Sequence, residues 1–164
     1  MDKVAARKLV WEKLKHVAVP DSRFHLDFNQ FIPDFNGSTV ASTNLVDLDI
    51  YKSAKTVFVT PDNCLERLRE QIILDGKTQV MPTYGIRRGF VVLLPEDVSE
   101  GMAPYSVSLD HIERVGNHVS LSEIRDAYKL DLLVTGASAV NYSGIRFGKG
   151  HGFFDLEWAM LYQI

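Results

Sequence analysis

The amino-acid sequence predicts an α/β fold in which a mostly parallel central sheet carries helices on both faces, giving three layers. Short runs of β-branched and aromatic residues, typical of covered strands, alternate with segments of helical periodicity. The chain has 164 residues, of which 46% are hydrophobic and 24% charged, so it can bury one substantial core. We therefore predict a single domain over residues 1–164.

The N-terminal part of the chain predicts two helices separated by an irregular segment. Residues 2–17 have apolar side chains at roughly helical spacing, and Pro20 follows as a stop. Residues 20–40 mix prolines and polar residues with phenylalanines, which predicts an irregular segment that stays attached to the core. STVASTNLVDL then predicts a short helix.

The remainder predicts alternating strands and helices. The predicted strands are KTVFVTP, TQVMPTY, GFVVLLP and DLLVTGASAV, and the predicted helices are PDNCLERLREQIILDGK, SLSEIRDAY and FFDLEWAMLYQI. Pro61 and Asp62 mark the start of the first of these helices, and Gly76 marks its end. SLSEIRDAY begins with a Ser-x-x-Arg run, which is a weaker start than a capping box.

Charge and composition indicate a cytoplasmic protein without a membrane or nucleic-acid partner. The formal net charge of −3 argues against a general nucleic-acid binder. Cys64 is the single cysteine, so no internal disulfide can form. No apolar run approaches the ~18–20 residues that span a bilayer, and the N-terminus lacks the apolar core of a signal peptide.

A glycine-rich segment, GIRFGKGHGFFD at residues 144–155, predicts an anion site. Gly148, Gly150 and Gly152 alternate between an apolar strand and a helix. Glycine allows a ligand to approach the backbone closely, and the first amides of a helix are unpaired and positively polarised. Arg146 and Lys149 add positive charge, so phosphate is the expected anion. The alternative is a glycine-rich connection that only turns the chain.

The spacing excludes two common phosphate-binding loops. A Walker A segment needs Gly-x-x-x-x-Gly-Lys-Ser/Thr, whereas here three residues separate Gly144 from Gly148 and Gly150 follows Lys149. The Gly-x-Gly-x-x-Gly spacing of a dinucleotide-binding fold is absent from this segment as well.

The same segment closely resembles the Gly-x-Arg-x-Gly-[Arg/Lys]-Gly-x-Gly-[Tyr/Phe]-[Tyr/Phe]-Asp signature of 5-formyltetrahydrofolate cyclo-ligases, also called methenyltetrahydrofolate synthetases. Lys3 and Arg7 match a lysine and an arginine that lie four apart near the N-terminus in that family. RKLVW, IPDFNG, PTYGIRRG and GKGHGFFDLEWAM are similar to a divergent branch, the methenyltetrahydrofolate synthetase domain-containing proteins. The resemblance implies a cyclo-ligase-like fold.

The resemblance also implies a reaction and a set of site residues. Such enzymes use ATP and Mg²⁺ to convert 5-formyltetrahydrofolate into 5,10-methenyltetrahydrofolate. It implies catalytic roles for Arg146 and Lys149 and a magnesium site at Asp155. The implied ATP-binding residues are Lys3, Arg7, Gly148, Lys149, Gly150, His151, Gly152 and Phe153.

Some of these assignments leave alternatives open. His151 occupies a position that is often lysine or arginine in the family, and it would contact phosphate or face water. Phe153 and Phe154 stand where the family has tyrosines, and Phe154, with Trp158 at i+4, is expected in the core. Tyr84, which follows a strand, would meet a ligand or belong to an exposed hairpin.

The sequence departs from the family pattern in two places. Cyclo-ligases carry a glutamate that binds the folate ring in the loop after the strand equivalent to KTVFVTP. Here that loop reads TPDNCLE, in which Asp62 is the nearest acid and Glu66 comes later. The sequence also stops soon after the glycine segment, so we expect it to lack the C-terminal strands and helix of the family. The apolar face from Trp158 to Ile164 would then favour association between copies.

Two functions therefore remain open. The nearly complete phosphate signature favours an ATP- and Mg²⁺-dependent cyclo-ligase that acts on 5-formyltetrahydrofolate. The missing glutamate and the short C-terminus favour a nucleotide- or phosphate-binding relative without catalysis, with a regulatory or binding role.

Overall fold

The computed structural model describes residues 2–164. The α-helices are α1 (Lys3–Leu14), α2 (Ser38–Val46), α3 (Asp49–Ser53), α4 (Glu66–Leu74), α5 (Ala103–Ser106), α6 (Ile112–Val115), α7 (Leu121–Ala127) and α8 (Phe153–Tyr162). The strands are β1 (Thr56–Val59), β2 (Thr78–Pro82), β3 (Phe90–Leu93), β4 (Asn117–Val119), β5 (Leu132–Val134), β6 (Ala139–Val140) and β7 (Arg146–Phe147). Single 3₁₀ turns lie at Asn63–Leu65, Tyr84–Ile86 and Pro95–Asp97.

The central sheet has the strand order β4-β3-β2-β1-β5. Strand β1 pairs in parallel with β2 on one side and β5 on the other. Strand β3 is antiparallel to both of its neighbours, β2 and β4. Four strands therefore run in one direction and β3 alone runs in the other, which confirms the mostly parallel sheet.

Alternate side chains of the central strands pack into cores on opposite faces of the sheet. In β1, Val57 and Val59 pack with Leu68 of α4, whereas Phe58 packs with Ile124 of α7 on the opposite face. All five side chains are at most 1% exposed. This period of two is the property of a strand covered on both sides, and it confirms the three-layer prediction.

Helix α8 covers the second face of the sheet and also exposes an apolar surface. Phe154 and Leu161 pack against the core that contains Phe58, so the expected core position of Phe154 is confirmed. Trp158, in contrast, is 52% exposed and stacks on the more exposed Tyr162 with 6.4 Å between ring centroids. Association between copies through this face stays a prediction.

The sequence predicts one strand over DLLVTGASAV, and this prediction is wrong. Strand β5 ends at Val134, and the chain leaves the sheet at Gly136, whose amide donates to Asp62 Oδ2 at 3.0 Å. Strands β6 and β7 then form a separate antiparallel hairpin. The glycine-rich segment consequently follows β7 rather than the apolar strand β5.

Two predicted helix starts are wrong in detail. Helix α4 begins at Glu66 after a 3₁₀ turn, and the carboxylate of Asp62 accepts from the Thr60 hydroxyl at 2.6 Å instead of capping that turn. Helix α7 begins with a true capping box: Ser120 Oγ accepts from the amide of Glu123 at 3.2 Å, and Glu123 Oε2 accepts from the amide of Ser120 at 2.7 Å.

The irregular N-terminal segment is confirmed as part of the body. Phe28, Phe31 and Ile32 are each no more than 6% exposed, although the backbone around them forms only turns and isolated bridges. The phenylalanines therefore compensate for the missing regular structure by burying apolar area. Among the described residues, no helix combines the length and apolarity needed to cross a membrane.

Candidate functional site

A cavity of about 350 Å³ lies where the glycine-rich segment meets α1 and the ends of two parallel strands. The loop Thr60–Asp62 follows β1 and Thr135–Gly136 follows β5, so both reach the same edge of the sheet. Ligands of open α/β sheets commonly bind at this edge. The cavity is lined by Lys3, Arg7, Ile32, Thr60, Pro61, Asp62, Tyr84, Gly85, Thr135, Gly136 and most of residues 145–157.

The glycine-rich segment adopts backbone conformations that favour glycine. Gly150 has φ of +110° and Gly152 has φ of +73°, both in the left-handed region. Gly152 is the N-cap of α8, and no side chain caps the first turn of that helix. Because this first turn lines the cavity, its unpaired amides and the positive end of the helix dipole are available to an anion.

Arg7 of α1 contacts the glycine-rich segment directly. Its Nε donates to the carbonyl oxygen of Gly148 at 3.2 Å. A Cβ at Gly150 would lie 3.1 Å from Arg7 Cζ, so only glycine allows this approach without a shift of the guanidinium. Arg7 of the N-terminal helix therefore contacts the glycine-rich segment in the folded chain. Lys3 lines the same cavity.

Lys149 is held in place by a carbonyl and two aromatic rings. Its Nζ donates to the carbonyl oxygen of Gln30 at 3.2 Å, and the Tyr84 hydroxyl donates to the same oxygen at 3.1 Å. The ammonium also lies 5.4 Å from the Tyr84 ring centroid and 5.6 Å from that of Phe153. Burial lowers the pKa of Lys149. Tyr84 thus belongs to the cavity wall.

Arg146 and Asp155 form an ion pair in the lining of the cavity. An Arg146 Nη lies 3.2 Å from Asp155 Oδ1, and its guanidinium lies 4.4 Å above the ring of Phe154. Asp155 is 84% exposed, so its other oxygen is open to solvent. The His151 ring meets the Phe153 ring edge-on at 5.4 Å, and both residues line the cavity.

Asp62 lies in the loop after β1 and is held by hydrogen bonds to its own loop and to the loop after β5. Its Oδ2 accepts from the Thr60 hydroxyl at 2.6 Å and from the amide of Gly136 at 3.0 Å. The buried guanidinium of Arg69 donates to the carbonyl oxygens of Thr60 and Asp62, at 3.3 and 2.9 Å. Glu66 is exposed and does not line the cavity. Asp62 is therefore the acid that this loop presents to the cavity.

The sequence interpretation missed a second acid, Glu157. This residue is 3% exposed, lines the cavity, and leaves its Oε2 without a hydrogen-bond partner in the part of the chain that the structure describes. Burial and the charge of Asp62 raise the pKa of Glu157 to about 7, against opposing effects of Arg146 and Lys149. A helical wheel would have found it, since Glu157 lies three residues after Phe154 and shares its buried face.

Glu157 predicts a pH-dependent stability of the ligand-free protein. Because its pKa is raised from 4.5 to about 7 in the fold, the native state binds the proton more tightly than the unfolded state. The stability from this group is complete below pH 4.5 and is lost as the pH rises through 7, by up to about 3 kcal/mol. Glu157→Gln should therefore match the wild type near pH 5 and exceed it near pH 8.

Urea unfolding of both proteins at the two pH values, with EDTA present, measures this difference. The same comparison with Glu100→Gln serves as the control, because Glu100 is exposed and does not line the cavity. A constant gap between wild type and Glu157→Gln across this pH range would contradict a raised pKa at Glu157.

Gly136→Ala should destabilise the loop that carries Asp62. A Cβ at position 136 would lie 2.7 Å from Asp62 Oδ2 and 2.8 Å from its Cβ and Cγ, so the loop must shift, at a cost of about 1–3 kcal/mol. Gly148→Ala is the matched control, because its Cβ would meet nothing closer than 3.7 Å. Equal free energies of unfolding for the two variants would show that the loop accommodates the methyl group freely.

Comparison with known proteins gives a family match over the described chain. The model of the 5-formyltetrahydrofolate cyclo-ligase family matches residues 2–164. The methenyltetrahydrofolate synthase domain-containing protein of Homo sapiens is 32% identical over 167 residues, which cover 94% of this chain and 40% of that protein. The proteins of the same name from Mus musculus and Danio rerio are 27% and 30% identical, over 98% and 79% of this chain.

This chain thus spans about two fifths of the length of the human and mouse relatives. The matched region nevertheless contains both the α1 cations and the glycine-rich segment, which meet in one cavity. The chain belongs to the 5-formyltetrahydrofolate cyclo-ligase family.

Proposed function

We propose that this protein is an ATP- and Mg²⁺-dependent ligase that converts 5-formyltetrahydrofolate into 5,10-methenyltetrahydrofolate. The observation that carries the proposal is the cavity itself, which is lined by cations from α1 and the glycine-rich segment together with two buried or half-buried acids, Asp62 and Glu157. Family membership supports the reaction class. Phosphoryl transfer depends on positioning and charge stabilisation, and this arrangement supplies both.

In this proposal the phosphates of ATP lie against the glycine-rich segment. Lys149 and Arg146 hold the transferred phosphoryl group and stabilise its developing charge, as the catalytic residues. Lys3 and Arg7 approach the same phosphates from α1, since Arg7 already contacts Gly148. The amides of Gly150, Gly152 and Phe153, with His151 beside them, complete the phosphate site.

Asp155 is the residue that fits the magnesium ion. Among residues 2–164, no group of three or more acidic, histidine or cysteine side chains converges as a metal cage. Mg²⁺ bound to nucleotides usually needs only one or two carboxylates, because phosphates and waters supply its other ligands. When bound, the ion would neutralise charge on the phosphate oxygens. The exposed carboxylate of Asp155, next to Arg146, suits this role.

The proposed reaction is balanced by ATP alone. The γ-phosphoryl group is transferred to the formyl oxygen and ADP is released. The neighbouring amine of the folate then attacks the formyl carbon and loses its proton, which closes the five-membered ring, and the formyl oxygen leaves as part of inorganic phosphate. The cation cluster serves both steps, because each of them moves negative charge onto phosphate oxygens.

A second candidate function is nucleotide or phosphate binding without catalysis. It is favoured by the replacement of the folate-binding glutamate, since Asp62 has a shorter side chain and one oxygen already held by Thr60 and Gly136. A protein of this kind would bind ATP through the same phosphate site and would serve a regulatory or binding role. The cytoplasmic location stays a prediction under either function.

Two measurements separate the two functions. The first is isothermal titration with ATP–Mg²⁺ and then with 5-formyltetrahydrofolate, and the second follows the absorbance of methenyltetrahydrofolate. We expect both ligands to bind and product to accumulate only when both are present. ATP binding without folate binding or product would favour the binding module. Absence of ATP binding would contradict both candidates.

A further inference from the structure

The turn at residues 83–89, between β2 and β3, has a strained backbone that the phosphate site does not explain. Ile86 has φ of +56°, a left-handed conformation that is costly for a β-branched residue. Thr83 holds the turn closed, since its amide donates to the Gly89 carbonyl oxygen at 2.9 Å and its hydroxyl accepts from the amide of Arg88 at 2.9 Å. Strain of this kind persists where the surrounding structure imposes it, and it is concentrated at functional sites.

This turn carries Tyr84, whose ring and hydroxyl both have partners. The ring stacks on Phe24, with 6.3 Å between centroids and 19° between planes, and Lys149 Nζ lies 5.4 Å from the Tyr84 centroid. The hydroxyl donates to the Gln30 carbonyl oxygen at 3.1 Å, and the same oxygen accepts from Lys149 Nζ at 3.2 Å. Tyr84 therefore lies against the ammonium of Lys149 and also holds the carbonyl group to which that ammonium donates.

The charges around Lys149 favour its charged form but do not fix its position. Burial lowers the pKa of Lys149, and the charges of Asp62 and Glu157 oppose this shift. Within residues 2–164, however, no ion pair joins Lys149 to either acid. The contacts that place the ammonium are therefore its hydrogen bond to the Gln30 carbonyl oxygen and the aromatic rings beside it.

We propose that Tyr84 is a positioning residue, which holds the ammonium of Lys149 at the cavity and acts on the nucleotide through it. This role rests on the proposed function, because it concerns the lysine that we assign to the phosphate site. A lysine side chain loses rotational freedom when it binds a ligand. If Tyr84 has already restricted that freedom, less of it is lost when the phosphate arrives. The closed turn at residues 83–89 is the part of the fold that brings Tyr84 to this place.

The first test is a double-mutant cycle on ATP–Mg²⁺ affinity, measured calorimetrically for the wild type, Tyr84→Leu, Lys149→Ala and the double variant. Tyr84→Leu alone should weaken binding about fivefold or more. In the Lys149→Ala background, the same substitution should change the affinity less than about twofold. Tyr84→Phe keeps the ring and should recover most of the affinity. Tyr105→Leu is the matched control, because Tyr105 is an exposed tyrosine that does not line the cavity.

A second test needs no ligand and measures the mobility of Lys149 by nuclear magnetic resonance. The ε-protons of a fixed lysine have different surroundings and separate resonances, whereas free rotation averages them. The Lys149 resonances are assigned from their absence in Lys149→Ala. We expect separate ε-proton resonances in the wild type and in Tyr105→Leu, and a single averaged resonance in Tyr84→Leu. Circular dichroism verifies that each variant is folded.

The outcomes for Tyr84 are separable from those for the proposed function. An equal effect of Tyr84→Leu in both backgrounds, or separate Lys149 resonances that persist in Tyr84→Leu, would overturn the positioning role and leave the ligase function standing. Coupling in the cycle without any methenyltetrahydrofolate product would support the positioning role and overturn the ligase function. If the wild type binds no ATP, the ligase function fails, and the resonances of Lys149 alone decide whether Tyr84 positions it.

Discussion

Lys149→Ala is expected to weaken ATP–Mg²⁺ binding by about 1–3 kcal/mol, the value typical of a lost charge-assisted hydrogen bond. The effect should be large because the ammonium is half-buried and already positioned. It donates to the Gln30 carbonyl and lies over the Tyr84 and Phe153 rings, so little side-chain entropy is lost on binding. Isothermal titration of both proteins measures the change directly.

Lys8→Ala is the matched control, because Lys8 is an exposed lysine of α1 that does not line the cavity. Its ATP affinity should equal that of the wild type, since an exposed charge outside the site is screened by salt. The thermal stability of Lys149→Ala should stay close to that of the wild type, which separates binding from folding. Equal ATP affinity of Lys149→Ala and Lys8→Ala would show that Lys149 does not contribute to phosphate binding.

Arg69→Met is expected to lower the free energy of unfolding by about 2–3 kcal/mol. Arg69 is 1% exposed, and its guanidinium donates to the carbonyl oxygens of Val107, Thr60 and Asp62. Methionine fills a similar volume but donates nothing, so these carbonyl groups lose a charged donor. Burial of the charged guanidinium costs free energy and lowers the pKa of Arg69. Methionine removes this cost, which offsets part of the lost hydrogen bonding.

Arg67→Met provides the control on the same helix. Arg67 is 55% exposed and pairs with Glu70 at the surface, so its loss should cost at most about 1 kcal/mol. Urea unfolding of the two variants gives the comparison. If they lose equal stability, the hydrogen bonds of Arg69 do not hold the loop after β1.

The regular elements could be predicted from the sequence because their signals are local. Strands β1, β2 and β3 are short apolar runs bounded by turn residues, and α4 and α8 have helical periodicity. Elements with weak local signals were missed. The three-residue β4 is identified mainly by its pairing with β3, and the two-residue β6 and β7 are defined by their pairing with each other.

The candidate site was predictable where it depends on contiguous residues. Arg146, Lys149 and Asp155 lie within one segment, and the glycines between them signal a backbone that approaches a ligand. Only the family resemblance indicated Lys3 and Arg7 as site residues, because two basic residues on one helix face usually point into solvent. The contact between Arg7 and Gly148 joins residues 141 positions apart, which no local pattern indicates.

By itself, the sequence determined the α/β class and the three layers, since periodicity acts over a few residues. It also predicted a phosphate site at residues 144–155 from glycine spacing and charge, and that site stays a prediction. Only the tertiary structure decided that Asp62 and Glu157 both line the cavity. Asp62 turns inward because Gly136, in the loop after β5, leaves room and donates an amide. Glu157 is buried because α8 packs its Phe154 face onto the sheet. The polarity of a cavity depends on which distant segments meet there, and that is a property of the packed chain.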